Sequence, residues 1–468
     1  MALRYLRETG QVAPEIEMKA THFVNLGYQK LLNFESPSGG FNWWGNSEPG
    51  NMLLTGFGIQ QFEDMGKVYE IDREIIDRSK RWLASKQNSD GSWNPTTQLH
   101  GYNMALGASK LRTTAYILWS LEQAGDKGGH IGRAVGYITK HLDDAKGDLY
   151  TLALAANALV LWNKSDSATL KLLEKLHNSS VIDEKEKTVS WPTKGDTAMY
   201  SRGSSAAIET TALIAMAMIN AKRYTSDANG ALTYLVKSKG AYGNWDSTQA
   251  TILALKALLL GMGGVGSDAD MSAEILVDGK RVGREAFNPD NSDVMRIIDA
   301  GAVGAGSHKV EIKSHGKANV MYQVVGRYFR PWREVGGKAE PLTVKVEYDR
   351  RQLKVDDLLT AQVSVNYNLD RTTFMVIVDL GIPPGFSVIP DDFASLVSQG
   401  KIKRYSLTGR QVTLYLGEMR KDTPLKLSYK LRARFPIKAK TPKSVAYEYY
   451  TPSSRGVQQP ETITVTKD

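Results

Sequence analysis

The 468-residue chain contains no cysteine. Without thiols it forms no disulfide, no thiolate metal site and no cysteine nucleophile within these residues. The absence leaves the redox compartment open, because an exported bacterial protein can also lack cysteine. What the missing cysteine excludes is therefore a set of chemistries and not a cellular location.

Long hydrophobic runs are also missing. No stretch approaches the roughly 20 uninterrupted apolar residues that a membrane-spanning helix needs. The nearest, TQATILALKALLLGMGG, is interrupted by Gln249 and Lys256 and fits a buried core helix better. The N-terminus carries neither a signal-peptide core nor a cleavage site. We predict no membrane span, and we expect any export signal to lie outside this chain.

Acidic residues are scarce in one part of a chain whose formal net charge is +9. Residues 401–443 contain 13 Lys and Arg but only two acids, Glu418 and Asp422. Such a stripe can contact nucleic acid, an anionic surface or an acidic partner, whereas the simpler interpretation is a solvated sheet face. We expect no nucleic-acid partner. The candidate basic interaction face consists of Lys401, Lys403, Arg404, Arg432 and Arg434.

A repeated pattern occupies the first 265 residues. Five times, a polar helix is followed by a loop rich in Gly, Asp and Trp and then by an almost entirely apolar helix. One such hairpin cannot bury an all-round apolar helix, so neighbouring hairpins have to supply the other faces. The polar helices are predicted at 15–33, 72–87, 129–142, 167–178 and 227–238, and the apolar helices begin near residues 55, 113, 150, 208 and 248.

This alternation predicts an α/α toroid, in which apolar helices line the axis and polar helices shield them. A closed ring of six pairs needs one more hairpin than the five that we find. Residues 1–8 resemble the tail of a helix whose beginning is missing. We therefore expect the toroid, residues 1–265, to be truncated at its N-terminus.

After the helical part, the period of the pattern changes from helical to alternating. Residues 269–332 are predicted to form an all-β segment, with a hairpin over 273–282 on an Asp-Gly turn and two more strands around a Gly turn within 307–330. Residues 340–468 show strands at regular spacing and predict an antiparallel β-sandwich, interrupted by one short helix at 390–400.

The residues that carry chemistry fit no enzyme signature. Terpene cyclases and protein prenyltransferases share the toroid, but the former need a D-x-D-D acid and the latter a zinc site with cysteine, and the helical part has neither. A toroid glycosidase needs two opposed carboxylates on the axis. Asp64, Asp148 and Glu209 lie on or beside inner helices, although helix-capping or buried hydrogen-bond roles explain them more simply.

Two aromatic loops and one histidine stand out by position. The loops at Trp43–Trp44 and 88–93 could stack on a ligand, but a connector packed between hairpins is the simpler interpretation. The seven histidines show no metal-ligand spacing such as H-x-x-x-H, and we predict no metal or other cofactor. His100 lies in the loop TTQLHGYNMALG, between one hairpin's Trp and the next inner helix, where a lone histidine is usually solvated.

A series of motifs, in order along the chain, resembles the C-terminal part of the alpha-2-macroglobulin and complement thioester-protein family. Three segments match the stretch that follows the family's thioester, one matches the final helix of its thioester domain, and two match its receptor-binding domain. These segments are Tyr5–Thr9, Glu15–Ala20, Gly27–Leu31, 245–258, 381–388 and 446–452. They occur in order from the beginning to near the end of the chain, so the resemblance extends over essentially its whole length.

The resemblance implies three domains. Residues 1–265 are similar to a thioester-type toroid without its first hairpin, 269–332 to the C-terminal half of a CUB-like β domain, and 340–468 to the macroglobulin-like receptor-binding sandwich. In this family a thioester joins Cys and Gln of a G-C-x-E-Q motif, which is expected upstream of Tyr5. The resemblance thus implies the C-terminal fragment of an endopeptidase inhibitor that traps target proteases and captures them covalently through that upstream thioester.

His100 occupies the place of a histidine that, in some complement members, attacks the thioester and forms an acyl-imidazole. The released thiolate then promotes transfer to hydroxyl groups, whereas members without the histidine react preferentially with amines. The resemblance therefore implies thioester acyl transfer by His100, with surface hydroxyl or amine groups as acceptors. Receptor-binding members also carry two lysines on the helix of the last domain, where this chain has Pro390 and Ala394, so a scavenger-receptor contact is not implied.

We therefore predict a protein that is not an enzyme and that acts outside the cell or in the periplasm, from a bacterial source because vertebrate members carry disulfides. Two alternatives stay open. One is an α/α-toroid carbohydrate-active enzyme or lyase with an accessory β module, which needs convergent carboxylates in an axial cavity. The other is a non-catalytic interaction module that uses the basic face within 401–443. The oligomeric state is not predicted.

Overall fold

The computed structural model describes residues 3–4, 7, 14–42, 45, 49–95, 109–193, 195–199, 201–240, 244–262, 270–288, 291, 296–317, 322, 324–328, 340–373, 375–449 and 451–467. His100 and Trp43–Trp44 lie outside these residues. The chain divides into two compact units. The first comprises Met1–Ala198, Ala206–Lys239 and Gln249–Val325, and the second comprises Met199–Ser205, Gly240–Thr248 and Gly326–Asp468.

The five predicted helical hairpins are confirmed within the described part of the chain. The outer helices are α1 (Pro14–Leu32), α3 (Glu74–Ser85), α5 (Gly129–His141), α7 (Ser167–His177) and α9 (Thr225–Lys237). The inner helices are α2 (Met52–Gly66), α4 (Lys110–Gln123), α6 (Leu149–Asn163), α8 (Gly203–Ala221) and α10 (Thr248–Met262).

The two classes of helix differ in burial as their sequence patterns predict. Every residue of α6 from 150 to 160 is buried. The outer helix α7 buries one stripe at helical spacing, Thr169, Leu172, Leu173 and Leu176. The inner helix α8 is long and apolar enough to cross a membrane, but 78% of its most apolar window is buried inside the fold, as expected for a core helix.

Neighbouring inner helices run parallel and are joined at matching depths. Gln60 Nε2 on α2 donates a hydrogen bond to Ser120 Oγ on α4 over 2.9 Å. Asn157 Nδ2 on α6 donates to the Leu213 carbonyl on α8 over 2.8 Å. In both pairs the ninth residue of one helix meets the eleventh residue of the next. The first turns of α4 and α6 also meet, through Arg112 Nε and Thr151 Oγ1 at 2.9 Å, so these two helices point the same way.

The last inner helix also meets the first. Lys256 Nζ on α10 lies 2.8 Å from Asp64 Oδ2 on α2. Burial alone raises the pKa of Asp64, but the ammonium groups of Lys256 and Lys67 outweigh it and hold that pKa below its ordinary value. The series of inner helices thus begins and ends in contact, which confirms the predicted α/α toroid. The expected absence of a sixth hairpin stays a prediction.

Two β hairpins belong to the first unit. A short one in the loop before α8, β1 (Val181–Asp183) and β2 (Thr188–Ser190), was not predicted because its residues are mostly polar and exposed. The second hairpin is part of the antiparallel sheet β4-β3-β5, formed by β3 (Asp270–Val277), β4 (Lys280–Phe287) and β5 (Val310–Lys317). Its predicted Asp-Gly turn is confirmed, since Asp278 and Gly279 have φ values of 51° and 80°.

The prediction of two strands around a Gly turn within 307–330 is wrong for the described residues. One strand, β5, runs straight through Gly316. Gly316 has a φ of 100°, and a Cβ there would come within 2.1 Å of the Asp270 carbonyl oxygen on β3. Gly316 therefore allows β5 and β3 to lie close together and does not form a turn.

The second unit contains a β-sandwich, as predicted. Its strands are β6 (Leu342–Tyr348), β7 (Gln352–Lys354), β8 (Leu358–Tyr367), β9 (Val376–Gly381), β10 (Phe386–Val388), β11 (Arg404–Leu407), β12 (Gln411–Tyr415), β13 (Leu425–Ala433), β14 (Ile437–Lys440), β15 (Ser444–Glu448), β16 (Thr451–Gln458) and β17 (Thr462–Thr466). They form a four-stranded sheet β10-β13-β8-β6, a five-stranded sheet β11-β12-β9-β15-β16 and a small sheet β14-β17-β7.

One feature of the sandwich departs from the prediction of a wholly antiparallel fold. Strands β17 and β7 pair in parallel, with Val465 opposite Leu353. The larger sheets pack through alternating residues, so that the odd-numbered residues of β8 from 359 to 367 all lie in the core. The predicted short helix is α11 (Pro390–Ser398), which contributes Phe393 and Leu396 to that core.

Candidate functional site

The aromatic loop 88–93 is a buried connector between two helices. Trp93 is completely buried. Its indole Nε1 donates a hydrogen bond to the Leu83 carbonyl on the preceding outer helix over 2.8 Å. Its backbone N–H donates to Thr114 Oγ1 on the following inner helix over 3.0 Å. The connector interpretation of this loop is therefore confirmed, and its ring offers no stacking surface to a ligand.

The same connection recurs in other repeats. Trp191 Nε1 donates to the Leu176 carbonyl over 2.7 Å, and its backbone N–H donates to Thr211 Oγ1 over 3.1 Å. In the first described loop, the backbone N–H of Phe41 donates to Thr55 Oγ1 over 2.9 Å. Sequence analysis missed this threonine, although a threonine recurs in the first half of each inner helix.

A buried arginine lies where the inner helices begin. Arg112, in the first turn of α4, uses Nε to donate to Thr151 Oγ1 over 2.9 Å and Nη1 to donate to the Asp196 carbonyl over 2.8 Å. Its Nη2 lies 2.6 Å from Asp148 Oδ2. The guanidinium also lies over the ring of Tyr150, 5.4 Å from the centroid. Arg112 thus joins α4, α6 and the segment that precedes α8.

Asp148 acts as the N-cap of α6, one of the simpler roles considered for it. Its Oδ1 accepts hydrogen bonds from the backbone N–H groups of Tyr150 and Thr151, at 3.2 and 3.4 Å. Its Oδ2 receives the arginine and the Thr151 hydroxyl. Both carboxylate oxygens are therefore occupied by structural contacts.

Glu209 lies deeper in the same region. It is 1% exposed on α8 and lies near the phenols of Tyr116 and Tyr150. Burial, reinforced by the charge of Glu209, raises the pKa of both tyrosines well above the ordinary value. Both phenols therefore stay neutral, and these side chains form a polar core beside Arg112 at the end of the toroid where α4 starts.

Of the three carboxylates considered for a glycosidase, Asp64 lies far from the other two, and Asp148 and Glu209, which share one region, are respectively ion-paired and buried. Asp64 lies in the last turn of α2, about 18 Å along the parallel inner helices from their first turns at 1.5 Å per residue, whereas Asp148 precedes α6. Asp64 is paired with Lys256 and Asp148 with Arg112. The opposed pair that the enzyme alternative requires is thus not formed by these residues.

Four of the six histidines in the described part of the chain pair with aspartates. The pairs are His130–Asp126 at 3.1 Å, His141–Asp144 at 2.8 Å, His177–Asp227 at 2.5 Å and His308–Asp278 at 2.7 Å. No group of three or more His, Asp and Glu among the described residues could hold a metal ion. His100 lies outside those residues, so its acyl-transfer role stays a prediction. Its loop ends at Ser109, the N-cap of α4, three residues before Arg112.

The structure divides the candidate basic face into two groups. Lys401 and Lys403 follow α11, and Arg404 begins β11 in the five-stranded sheet. Arg432 lies on β13 in the four-stranded sheet, and Arg434 follows that strand. The residues on either side of Arg432 belong to the core, so its side chain points away from the opposite sheet. The proposal of one face with all five cations is therefore corrected to two groups on different sheets.

Comparisons with known families assign most of the chain. A family model described as the A-macroglobulin TED domain matches residues 1–259, which is more than half of the sequence. A model described as the A-macroglobulin receptor binding domain matches residues 371–461. The two matches follow each other in the order of the toroid and the sandwich.

Individual relatives match over nearly the whole chain. Ovostatin from Gallus gallus is 23% identical over 463 residues, which cover 96% of this chain and 31% of ovostatin. Thioester-containing protein 1 allele S1 from Anopheles gambiae is 23% identical over 470 residues, which cover 98% of this chain and 33% of that protein. The chain thus spans about a third of the length of the curated relatives it matches.

Solved structures share the fold. The chain is similar to native alpha-2-macroglobulin from Escherichia coli, spanning domain MG7 to the C-terminus, with a TM-score of 0.66, 17% identity, and coverage of 98% of this chain and 70% of the other. It is also similar to Salmonella alpha-2-macroglobulin reacted with methylamine, with a TM-score of 0.66, 16% identity, and coverage of 98% and 28%.

Proposed function

The chain belongs to the alpha-macroglobulin family, and from that premise we propose that it is the C-terminal part of an endopeptidase inhibitor that traps proteases. The observation that carries the proposal is the succession, within one chain, of a toroid matching the thioester-domain model and a sandwich matching the receptor-binding model. Since the chain spans a third of its curated relatives, trapping is an activity of the larger protein to which this part contributes.

The domain layout within this proposal follows the resemblance. Residues 1–265 form the thioester-type domain, 269–332 the C-terminal half of a CUB-like β domain and 340–468 the receptor-binding-type sandwich. The thioester itself belongs upstream of this chain, because the reaction needs a cysteine and this sequence has none. The polar core around Arg112 supports the toroid's part in the proposal, since it rigidifies the end of the toroid to which the His100 loop connects.

His100 is the proposed acyl-transfer residue. An imidazole nitrogen attacks the thioester carbonyl carbon, the C–S bond breaks, and the cysteine leaves as a thiolate. The thiolate then removes the proton from an incoming hydroxyl group, whose oxygen attacks the acyl-imidazole and releases the imidazole. The result is an ester to a target surface, and amine groups give the corresponding amide.

The partners in this proposal are target proteases, together with the surface hydroxyl or amine groups that the acyl group reaches. The protein acts once on each attacker and does not turn over a substrate. We place it in an extracellular or periplasmic setting, where it meets such proteases. No nucleic acid takes part.

The coding sequence just before Met1 tests the proposal first. We expect a G-C-x-E-Q motif in frame, and the intact protein incubated with a protease should give a covalent complex that survives boiling in detergent. Replacing the motif's cysteine by alanine should abolish that complex while leaving the folded toroid intact. A stop codon upstream with no cysteine codon would contradict the trapping mechanism.

The role of His100 is tested by nucleophile preference. The intact protein and its His100→Asn variant are each reacted with methylamine and with glycerol, and the rates of thioester loss are compared. We expect the variant to lose its glycerol reaction and to keep its methylamine reaction. An unchanged ratio of the two rates would show that His100 takes no part in acyl transfer, without bearing on trapping itself.

A further inference from the structure

An aromatic row crosses the outer face of the five-stranded sheet. Cross-strand pairing places five residues side by side on successive strands, in the order Arg404, Tyr415, Ile377, Tyr447 and Arg455. The residues that flank the central one along β9 belong to the sandwich core. Because side chains alternate along a strand, the row points away from the core.

The centre of this row is apolar, which is unusual for the open face of an antiparallel sheet. Ile377 is only 2% exposed although it points outward, because the half-buried Tyr415 and Tyr447 flank it on the neighbouring strands. The next row adds Val445 and Val457 on β15 and β16. A solvated face would carry polar residues at these positions.

The acid on this face is hydrogen-bonded to its neighbours. Asp379, the one acid among the described outward residues of the five strands, accepts hydrogen bonds from Gln411 Nε2 over 2.6 Å and Thr413 Oγ1 over 2.8 Å. Tyr447 also bonds to it. Burial, reinforced by Asp379, raises the pKa of Tyr447 to about 12, so this phenol stays neutral and keeps its proton for that bond.

Cations without acidic partners surround the aromatic centre. Arg404 and Arg455 end the row, and Arg410 and Lys443 lie at the ends of β12 and β15; all four are exposed. None of them forms an ion pair with the residues that the structure describes. Arg404 lies over the ring of Tyr415, 5.7 Å from its centroid, which holds the guanidinium beside the apolar centre. The two arginines of the row are four strand spacings apart, or about 19 Å.

We propose that this surface, the Tyr415–Tyr447 face, docks a protein partner whose contacting surface is acidic around an apolar centre. Tyrosine and arginine are the side chains that contribute most often to binding energy at protein interfaces, and the unpaired cations supply charge complementarity to acidic residues. A simple polyanion uses the cations alone, whereas the two half-buried tyrosines beside Ile377 add the apolar contact that a protein surface provides. The proposal does not depend on protease trapping.

The test uses the full chain and three polymers of different chemistry. A fluorescently labelled copolymer of glutamate and tyrosine stands for the acidic, apolar-centred surface; polyglutamate and heparin supply charge alone. Fluorescence anisotropy should show the copolymer binding most tightly, and added salt should weaken it. Arg404→Glu combined with Arg455→Glu should weaken the binding of the copolymer about tenfold or more. Tyr415→Ser should weaken this binding about fivefold.

Matched controls separate a docking face from general attraction to polyanions. Lys426→Glu combined with Lys430→Glu makes the same charge change on exposed, outward positions of the four-stranded sheet and should change the affinity less than about twofold. Tyr415→Phe should retain binding, which guards against an unfolded Tyr415→Ser variant. The proposal is overturned if the chain does not bind the copolymer, if the control pair weakens copolymer binding equally, or if polyglutamate or heparin binds as tightly as the copolymer.

Discussion

At the scale of single residues, two tryptophans of the repeat loops, Trp93 and Trp191, each bond to two helices. Trp191 donates its indole N–H to α7 and its backbone N–H to α8. Trp191→Phe removes the indole bond and leaves a cavity, so we expect the free energy of unfolding to fall by about 1–3 kcal/mol. Urea denaturation measures the change.

A second tryptophan supplies the comparison for this prediction. Trp162, at the end of α6, is 42% exposed, so Trp162→Phe should change the free energy of unfolding by less than about 0.5 kcal/mol. Equal losses in the two variants would mean that the loop connection contributes no particular stability.

Arg112 carries the second prediction at this scale. Its side chain is 8% exposed and that of Asp148 is 25% exposed, so removing the cation leaves a carboxylate mostly buried without its partner. Arg112→Met should cost about 3 kcal/mol of unfolding free energy, the lower end for a broken buried pair because Asp148 keeps some water. Differential scanning calorimetry and urea denaturation measure it.

Two further variants check the physical cause. Lys110→Met removes an exposed cation two residues earlier, 3.9 Å from Asp90, and should cost less than about 0.5 kcal/mol. Adding Asp148→Asn to Arg112→Met should restore part of the stability, because the unpaired charge disappears. A further loss in the double variant would contradict the assignment.

At the scale of elements, a histidine fastens the segment before β5 to the β3–β4 turn. His308 Nδ1 lies 2.7 Å from Asp278 Oδ2, and its Nε2 lies 2.8 Å from the Gly304 carbonyl oxygen. The hydrogen bond to Asp278 raises the pKa of His308 above 6.5. The same pair, with the Lys309 N–H, lowers the pKa of Asp278 below 3.8.

The signs of these shifts set the pH window of the attachment. The contribution of His308 is complete below pH 6.5 and is lost as the pH rises through its raised folded-state pKa. The contribution of Asp278 is complete above pH 3.8 and is lost as the pH falls through its lowered one. NMR titration should therefore show the His308 ring protonating above 6.5, and His308→Gln should remove the matching transition at Lys309. A His308 pKa at or below 6.5 would contradict this.

Sequence pattern predicted the helical elements better than the strands. An all-apolar helix such as α6 is stable only where it is buried on every side. The polar helix α7 has one apolar stripe, and this stripe identifies the face of α7 that packs against the core. Periodicity therefore placed all five hairpins. It missed β1 and β2 because each has only three residues, too few to show an alternating pattern, and β1 is exposed throughout. It misread Gly316 because glycine marks both turns and close strand approach.

The candidate sites were harder to predict for a related reason. Asp148 and Asp64 were identified as polar residues near inner helices, but only the fold shows that their cations come from Arg112 and Lys256, which are distant in sequence. The charge count likewise identified Lys401 to Arg434 as one group. Strand pairing then divided them between two sheets, because successive strands of a sandwich cross from one sheet to the other.

At the scale of the whole molecule, the chain supplies a helical scaffold with a polar core and a sandwich with one proposed docking surface. The toroid buries most of the residues of its inner helices and keeps a polar core where α4 begins, while the sandwich presents the Tyr415–Tyr447 face. Under the proposed function these parts belong to a larger protein that traps proteases. The reactive group belongs outside the present sequence, so the chain alone should show no thioester chemistry.

The most direct measurement of the central claim is the number of free thiols in the intact protein before and after protease cleavage. The account predicts that the thioester cysteine is masked in the native protein and that cleavage, or methylamine, releases one thiol per chain together with a covalent protease complex. An intact protein that releases no thiol under either treatment would contradict it.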